Sequence, residues 1–354
     1  MNNSKTRSVP LDIVRIFAAF WVLGFHWLTC PGCFYGLRTA PNMDWVPTML
    51  YAPFEWGFLG VDIFFILSGS LIARSALNNE WFNFTRQRFL RLFPAYFLIG
   101  ILSISLYPLA TSSPLSVEKI FSLSGLQFWI GGPAIIAAGW TLPIEIAFYL
   151  LVTLSLYLYT KKKTFGTKEL RDFLNIWLLL YVLSIWLNFE PLQKLVIPSY
   201  APYFILGATL SLIKSKKDFF SNIFTFSISL VLTLKFVIQR VVTFPQLEHK
   251  FIMSFLLVVF MSGIIIYSNR PFTGSTESSS RKFITTLSRM TYPIYLIHLE
   301  VGLTFVYFYL TMGLPSQYAF LAALLTILAI SYGVVQFFEP LFKRVFNKHF
   351  HGRD

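Results

Sequence analysis

The first apolar run of the chain, LDIVRIFAAFWVLGFHW at residues 11–27, holds two ionisable side chains at a spacing that could serve one chemical purpose. Arg15 and His26 are eleven residues apart, so on an α-helix they lie within about 20° of one face and about 16 Å apart along the axis. Because a charge inside a membrane helix is costly, this pattern indicates function. The alternative is that Arg15 reaches the interface and pairs with Asp12, while His26 is a packing residue.

Two carboxylates are predicted at the depth of His26. Asp62 and Glu145 each lie about five residues into an apolar run that enters from the same side of the membrane as His26. A carboxylate beside a histidine fixes the tautomer of the imidazole, which can then act as a base. Asp62 has a second interpretation, because GVD opens a helix and a carboxylate there complements the helix dipole.

A group of arginines precedes the third apolar run, in FTRQRFLRLFPAY at residues 84–96. Arg86, Arg88 and Arg91 could join Arg15 in binding a phosphate-bearing ligand from the cytoplasm. Each of them is also explained by the ordinary excess of positive charge on the inner side of a membrane.

Other patterns are weaker. Cys30 and Cys33 form CPGC, which favours a local disulfide in an oxidising compartment. His298, in MTYPIYLIHLE, is either a polar group of the same cavity or a packing residue. P-loop, GxGxxG, HExxH and GxSxG motifs are missing from the sequence, which removes the usual signals of nucleotide hydrolysis, hydride transfer and zinc chemistry.

The elements that must position these residues are membrane helices. The chain has 354 residues, 55% of them hydrophobic and only 13% charged, which is far too apolar for a soluble domain. The sequence predicts an all-α polytopic membrane protein of about ten helices in a single domain, residues 1–354, with no appended soluble domain. The predicted spans are 10–29, 57–76, 92–110, 140–160, 173–189, 197–213, 219–238, 250–268, 290–312 and 318–338.

The segment 120–139 is apolar but interrupted by glycines and a proline. It is interpreted as a re-entrant or surface segment, with an eleventh span as the alternative.

Lysine and arginine residues orient the bundle. With the amino terminus in the cytoplasm, inner segments hold 22 of these residues and outer loops hold 6. This asymmetry predicts that both termini are cytoplasmic. It also accounts for the net charge of +13 without nucleic acid as a partner.

Seven stretches, taken in order, resemble the signatures of the membrane-bound acyltransferase family 3. They are LDIVRIFAAFWVLGFH (11–26), GVDIFFILSGSLI (60–72), RFLRLFPAYF (88–97), WTLPIEIAFYLL (140–151), APYFILGATLSL (201–212), MTYPIYLIH (290–298) and FEPLF (338–342). The chain departs from the family at one point, because many members have two adjacent acidic residues in the fourth signature, whereas Ile146 follows Glu145 here.

The resemblance implies an integral-membrane O-acyltransferase of the bacterial cytoplasmic membrane. Its donor would be cytoplasmic acyl-CoA, usually acetyl-CoA, and its acceptor a hydroxyl of a cell-surface glycan or a lipid-linked precursor, with no metal. His26 and Glu145 would be catalytic, and Arg15, Arg88 and Arg91 would bind the donor phosphates. The cavity would be lined by Asp12, Asp62, Ser68, Trp140, Tyr149, Tyr295 and His298.

One alternative function stays open at this point. A transporter or flippase of a glycolipid or acyl compound would also use buried charges and a discontinuous segment such as 120–139. Membrane lipid is an expected partner, and an oligomer is compatible with the sequence.

Overall fold

The computed structural model describes residues 8–30, 52–110, 115–125, 133–160, 165–196, 199–244, 247, 249–269 and 279–350. Within these ranges the chain is helical and contains no β-strand. The α-helices are α1 (Val9–Gly24), α2 (Gly60–Ala76), α3 (Trp81–Ala110), α4 (Val117–Phe121), α5 (Thr141–Thr160), α6 (Thr167–Trp186), α7 (Glu190–Val196), α8 (Ala201–Leu212), α9 (Lys216–Val242), α10 (Lys250–Tyr267), α11 (Ser279–Ile297), α12 (Glu300–Thr311), α13 (Ser316–Gly333) and α14 (Glu339–Phe350).

Several helices are extended by tighter or wider turns. A π-helical turn, Phe25–Thr29, follows α1, and another, Val334–Phe338, joins α13 to α14. Short 3₁₀ segments precede α2 and α5, at Ala52–Leu59 and Ala137–Trp140. The longest continuous helical run is therefore Ser316–His349, of 34 residues.

Each of the ten predicted spans overlaps a helix, but not every helix is long and apolar enough to cross a membrane alone. Within the described ranges seven helices meet that requirement. The pair α11 and α12, bent by 74° at its break, is either a broken eighth span or a re-entrant segment. The exceptions are α6, which begins with the charged stretch TKELRD, and α8, which has only 12 residues. The predicted count of ten stays a prediction, as does the cytoplasmic position of both termini.

The described residues cluster into two compact units. The first consists of Met1–Arg15, Leu59–Thr85 and Ala147–Thr285, and the second of Ile16–Phe58, Arg86–Ile146 and Thr286–Asp354. Each unit combines segments that are distant in the sequence.

In the first unit, α8 is the central element, because all of its residues are buried. It crosses α2 so closely that a Cβ on Gly207 would lie 1.9 Å from the carbonyl oxygen of Ile66. A Cβ on Gly69 would likewise lie 2.2 Å from the carbonyl oxygen of Phe204. Small residues at such a crossing let two backbones approach, which is a usual basis of helix association in membranes.

Side chains also satisfy the carboxyl end of α8. The amide Nδ2 of Asn269 donates to the carbonyl oxygens of Leu210 and Ile213, both at 2.8 Å. The guanidinium of Arg74 donates to Oδ1 of Asn269 at 2.8 Å. A helix that ends inside the protein needs such donors for its last carbonyls.

In the second unit, Ser122 connects the two described flanks of the segment 120–139. Its hydroxyl accepts the backbone N–H of Ile135 at 2.9 Å, and its carbonyl oxygen accepts the hydroxyl of Tyr96 at 2.9 Å. Thirteen helical residues would separate Ser122 and Ile135 by about 20 Å. The bond is therefore incompatible with one straight helix through Ser122 and Ile135. Residues 126–132 lie outside the described ranges, so both interpretations of the segment, a re-entrant or surface segment and an eleventh span, stay predictions.

Candidate active site

His26 lies in the π-helical turn that ends the first helix. A π turn shifts the backbone hydrogen bonds from i→i+4 to i→i+5, and such turns occur frequently at functional sites. The side chain of His26 is only partly buried, whereas the neighbouring Phe25 and Trp27 are buried. The turn therefore aims an imidazole away from the tightly packed residues on either side of it.

His298 lies at the break between α11 and α12. Its backbone N–H still bonds to the carbonyl oxygen of Ile294, at 3.1 Å, but the chain then bends by 74° before α12 starts. The indole Nε1 of Trp27 donates to the carbonyl oxygen of His298 at 2.8 Å. That bond satisfies a backbone group released by the break and ties the break to the end of the first helix.

Gly302 makes room for this connection. A Cβ at position 302 would lie 2.8 Å from Cζ2 of Trp27. The indole is buried and rigid, so it could not move aside without disturbing its bond to His298.

The rings of His26 and His298 form a hydrogen-bonded pair, with Nδ1 of His26 and Nε2 of His298 3.0 Å apart. Nδ1 of His298 is 2.6 Å from the carbonyl oxygen of Tyr295, and Nδ1 of His26 is 2.9 Å from the carbonyl oxygen of Val22. A carbonyl oxygen can only accept, so both Nδ1 atoms carry hydrogen. The neutral His298 must then accept through Nε2, and His26 donates its Nδ1–H to Val22 and His298 together.

This assignment leaves the lone pair of His26 on Nε2. None of the described residues forms a hydrogen bond with that atom. A neutral imidazole with its Nδ1 proton held and its Nε2 open is arranged as a general base or a nucleophile. His298, which is 1% exposed, is arranged to hold the ring of His26.

Glu145 is not among the hydrogen-bond partners of His26 in the described ranges, which are Val22 and His298. It lies in the second turn of α5, and its side chain is half-buried. Trp140, which precedes α5, is 37% exposed. The predicted contact of Glu145 with the imidazole thus stays a prediction, while His298 occupies the supporting position.

Glu300 is a carboxylate at the start of α12. It follows His298 by two residues, and its Oε1 accepts the backbone N–H of Ala137, in the 3₁₀ segment that leads into α5. Glu300 therefore holds the start of the WTLPIE stretch against the start of α12.

The predicted phosphate-binding residues belong to different units. Arg15 lies in the first unit, where its Nη1 is 3.8 Å from Oδ1 of Asp12. That pair agrees with the alternative in which the two neutralise each other. Arg88, half-buried, and Arg91, exposed, lie on α3 in the second unit. A shared site of the three arginines stays a prediction.

Asp62, Ser68 and Tyr149 also belong to the first unit, whereas Tyr295 belongs to the second with the histidines. Asp62 is fully buried and pairs with Arg240, whose Nη1 is 2.6 Å from Oδ2 of Asp62. Arg240 lies beyond the predicted span 219–238, but α9 continues to Val242 and includes it. This ion pair joins α2 to α9.

The cysteines lie at the edge of the described ranges. Cys30 is disulfide-bonded. Cys33 lies outside the described residues.

Sequence reasoning missed Trp27 and Glu300. The sequence does indicate Glu300, because it is an ionisable residue in the apolar run LIHLEVGLTFV, as Asp62 is in its own apolar run. Trp27 carried none, since its role depends on a helix break 271 residues away.

The helices and the hydrogen-bonded histidine pair define a multi-pass membrane protein with a candidate acid–base site. A family model described as an acyltransferase domain, that of acyltransferase family 3, matches residues 10–336. The chain therefore belongs to acyltransferase family 3, as the sequence motifs predicted, and is a membrane acyltransferase.

One curated relative is the regulator of hypoxia-inducible factor 1 of Caenorhabditis elegans. It is 30% identical over 173 residues, which cover 43% of this chain and 34% of the relative. The chain thus spans about a third of that protein's length. No solved structure matches the chain.

Proposed function

We propose that the protein transfers an acyl group, acetyl in the simplest case, from cytoplasmic acyl-CoA to a hydroxyl of a cell-surface glycan or its lipid-linked precursor. The family supplies the reaction class. The observation that carries the proposal is the His26–His298 pair, which leaves one unprotonated nitrogen open to a substrate.

In the proposed step, Nε2 of His26 removes the proton of the acceptor hydroxyl while its oxygen attacks the thioester carbonyl carbon. The carbon–oxygen bond forms, the carbon–sulfur bond breaks, and the proton passes from Nε2 to the sulfur of coenzyme A. General base assistance of this kind contributes about 10² to 10⁴ in rate.

His298 stabilises the protonated intermediate. When His26 takes a proton at Nε2, its ring becomes cationic and its Nδ1–H becomes a stronger donor to Nε2 of His298. A neutral acceptor stabilises an imidazolium less than a carboxylate does. In the proposal, Glu145 supplies this negative charge.

The donor phosphates are proposed to meet Arg15, Arg88 and Arg91 near the inner membrane surface. Arginine suits phosphate because its planar fork can make two hydrogen bonds to one group. The spacing of Arg15 and His26 along the first helix, about 16 Å, leaves room for the flexible arm of the coenzyme. The proposed location is the bacterial cytoplasmic membrane, with the acceptor on the outer side.

Two variants of the proposal differ in their intermediates. His26 can take the acyl group on Nε2 and release coenzyme A before the acceptor binds, or both substrates can react in one complex. Transport is the rival function, and the broken α11–α12 span favours it because discontinuous helices are common in transporters. Release of coenzyme A that requires an acceptor would separate the enzyme from a carrier.

The first experiment measures alkali-labile acyl esters on the surface glycans of the host. A deletion strain would be complemented with the wild type, with His26→Ala or with the exposed control His349→Ala, at matched protein levels. We expect esters with the wild type and the control and none with His26→Ala. Normal ester content with a folded His26→Ala protein would refute the role of His26.

A further inference from the structure

The helix α14 packs against the part of α3 that begins at Arg86, and both belong to the second unit. The guanidinium of Arg86 donates through Nη2 to the amide oxygen of Asn347 at 2.6 Å. About one turn further along α3, the ring centroid of Phe89 lies 5.5 Å from that of Phe346. Because an arginine only donates, the amide of Asn347 must present its oxygen here. One polar and one aromatic contact thus join the two helices.

The start of α14 is held by a different helix. Nη2 of Arg289, on α11, is 3.5 Å from Oε2 of Glu339 and donates to the carbonyl oxygen of Val335 at 3.2 Å. Val335 belongs to the π-helical turn that precedes α14. The helix α11 ends directly before His298. The helix α14 therefore connects the helix that leads to the histidine pair with the arginine-bearing part of α3.

The residues of α3 around this contact lie on two faces. Phe89 and Phe93 are about 60° and 20° from Arg86 around the helix axis, and their ring centroids are 4.4 Å apart. Arg88 and Arg91 are about 160° and 140° from Arg86, on the other side of the helix. Since α14 contacts Arg86 and Phe89, it packs on the face opposite to Arg88 and Arg91.

A proline explains why this part of α3 needs support. Pro94 lies inside the helix and has no N–H to bond to the carbonyl oxygen of Leu90, four residues earlier. Helices bend at such positions. The turns before Pro94 carry Arg88 and Arg91, so a bend would change the direction of both guanidinium groups. The contacts with α14 oppose that bend.

We infer that α14 positions Arg88 and Arg91 for the phosphates of the acyl donor, with Asn347 as the positioning residue. The inference rests on the proposed function, in which these arginines bind acyl-CoA. It adds to the donor site an element outside the family-matched residues 10–336, since α14 begins at Glu339. Asn347 touches no substrate and acts only through α3.

The test measures the Kd of coenzyme A, whose phosphates are common to every acyl-CoA, by titration calorimetry on the full-length protein in nanodiscs. Asn347→Leu removes the acceptor of Arg86 and should raise this Kd about tenfold, the effect of losing one charge-assisted hydrogen bond. Asn347→Asp should bind coenzyme A like the wild type, because a carboxylate oxygen accepts the same N–H. Phe346→Ala, which removes the aromatic contact instead, should also raise the Kd.

A double-mutant comparison shows whether Asn347 acts through the two arginines. In an Arg88→Gln, Arg91→Gln background, Asn347→Leu should cause no further loss of binding, because residues that act through one group are not additive. His349→Leu is the matched control on α14 and should leave the Kd unchanged, since His349 is exposed and bonds to the backbone of its own helix. Melting temperatures would identify any variant that has lost its fold.

An unchanged Kd in Asn347→Leu would overturn the inference, and so would a further loss of binding in the background without the two arginines. Loss of esters with His26→Ala alongside either result would keep the acyltransferase proposal and remove only the role of α14. Failure of the wild type to bind coenzyme A would refute the inference together with the proposed donor.

Discussion

Donor and acceptor are fixed in the histidine pair, because each Nδ1–H donates to a backbone carbonyl oxygen. His26 gives its Nδ1–H to Val22 and to His298, and His298 gives its own to Tyr295. The supporting group is therefore neutral. A neutral pair costs less to bury than a histidine with an unpaired carboxylate, which suits a site inside a membrane protein.

His298→Leu should lower kcat by about 10² or more, because it removes the ring nitrogen that accepts from the Nδ1–H of His26 and stabilises the protonated ring. KM for acyl-CoA should change little, since His298 supports a ring and contacts no phosphate in the proposal. His298→Gln should recover part of kcat, because its amide oxygen can accept the same N–H. Steady-state acyl-transfer kinetics on purified protein would measure all three effects.

His349→Gln is the matched control, since His349 is exposed and bonds only within its own helix. Equal activity of the leucine and glutamine variants of His298 would contradict a role as hydrogen-bond acceptor for His26. It would mean that only the volume of the side chain matters.

At this scale the sequence predicted His26 from its spacing to Arg15, but it left His298 undecided. The reason is that LIHLE carries no glycine or proline at the point where the helix breaks; Pro293 lies inside α11, several residues earlier. A sequence that does not show the break predicts only that His298 lies on the face of a continuous helix.

The helices α6 and α8, which are not long and apolar enough to be spans by themselves, show which features of a helix the sequence predicts and which it does not. The apolar part of α6 was found, but its charged beginning, TKELRD, joins the same helix. The helix α8 is about 18 Å long, shorter than the hydrocarbon core of about 30 Å. It is nevertheless wholly buried, so protein rather than lipid surrounds its ends.

Gly207→Ala should destabilise the first unit, because its Cβ would meet the backbone of Ile66 at 1.9 Å. Backbone cannot move aside as the end of a side chain can. We therefore expect the free energy of unfolding to fall by at least the amount usual for overpacking, about 1–3 kcal/mol. Gly263→Ala, on α10 with nothing within 4 Å, is the control and should leave stability unchanged. Thermal melting in detergent would compare the two, and equal melting temperatures would contradict the close crossing of α2 and α8.

Over the whole molecule, the distribution of charge and the number of crossings constrain each other. Eight spans and ten spans both return the chain to its starting side. Without α6 and α8 as spans only Lys194 changes side, and the predicted split of lysine and arginine moves from 22 to 6 to about 23 to 5. Sequence composition was sufficient for the class of protein. It was not sufficient for the two compact units, whose segments are far apart in the chain.

Single cysteines at positions 217 and 317 would test the orientation in a Cys30→Ser, Cys33→Ser background. Lys217 and Gln317 are both exposed, and α9, α10 and the broken α11–α12 span lie between them. A membrane-impermeant maleimide should label Gln317→Cys on intact cells and Lys217→Cys only after permeabilisation. Labelling of both from the same side would contradict the expected three crossings between the two positions.

The last helical run has a length that no bilayer core can cover. Its 34 residues, Ser316–His349, extend about 51 Å, which is about 20 Å more than the hydrocarbon thickness. The surplus is the end that carries Lys343, Arg344 and Lys348. Each lysine or arginine near an anionic leaflet contributes about 1 kcal/mol of attraction. We therefore expect the basic end of this run to bind the surface of an anionic leaflet and to limit how deeply α13 and α14 enter the membrane.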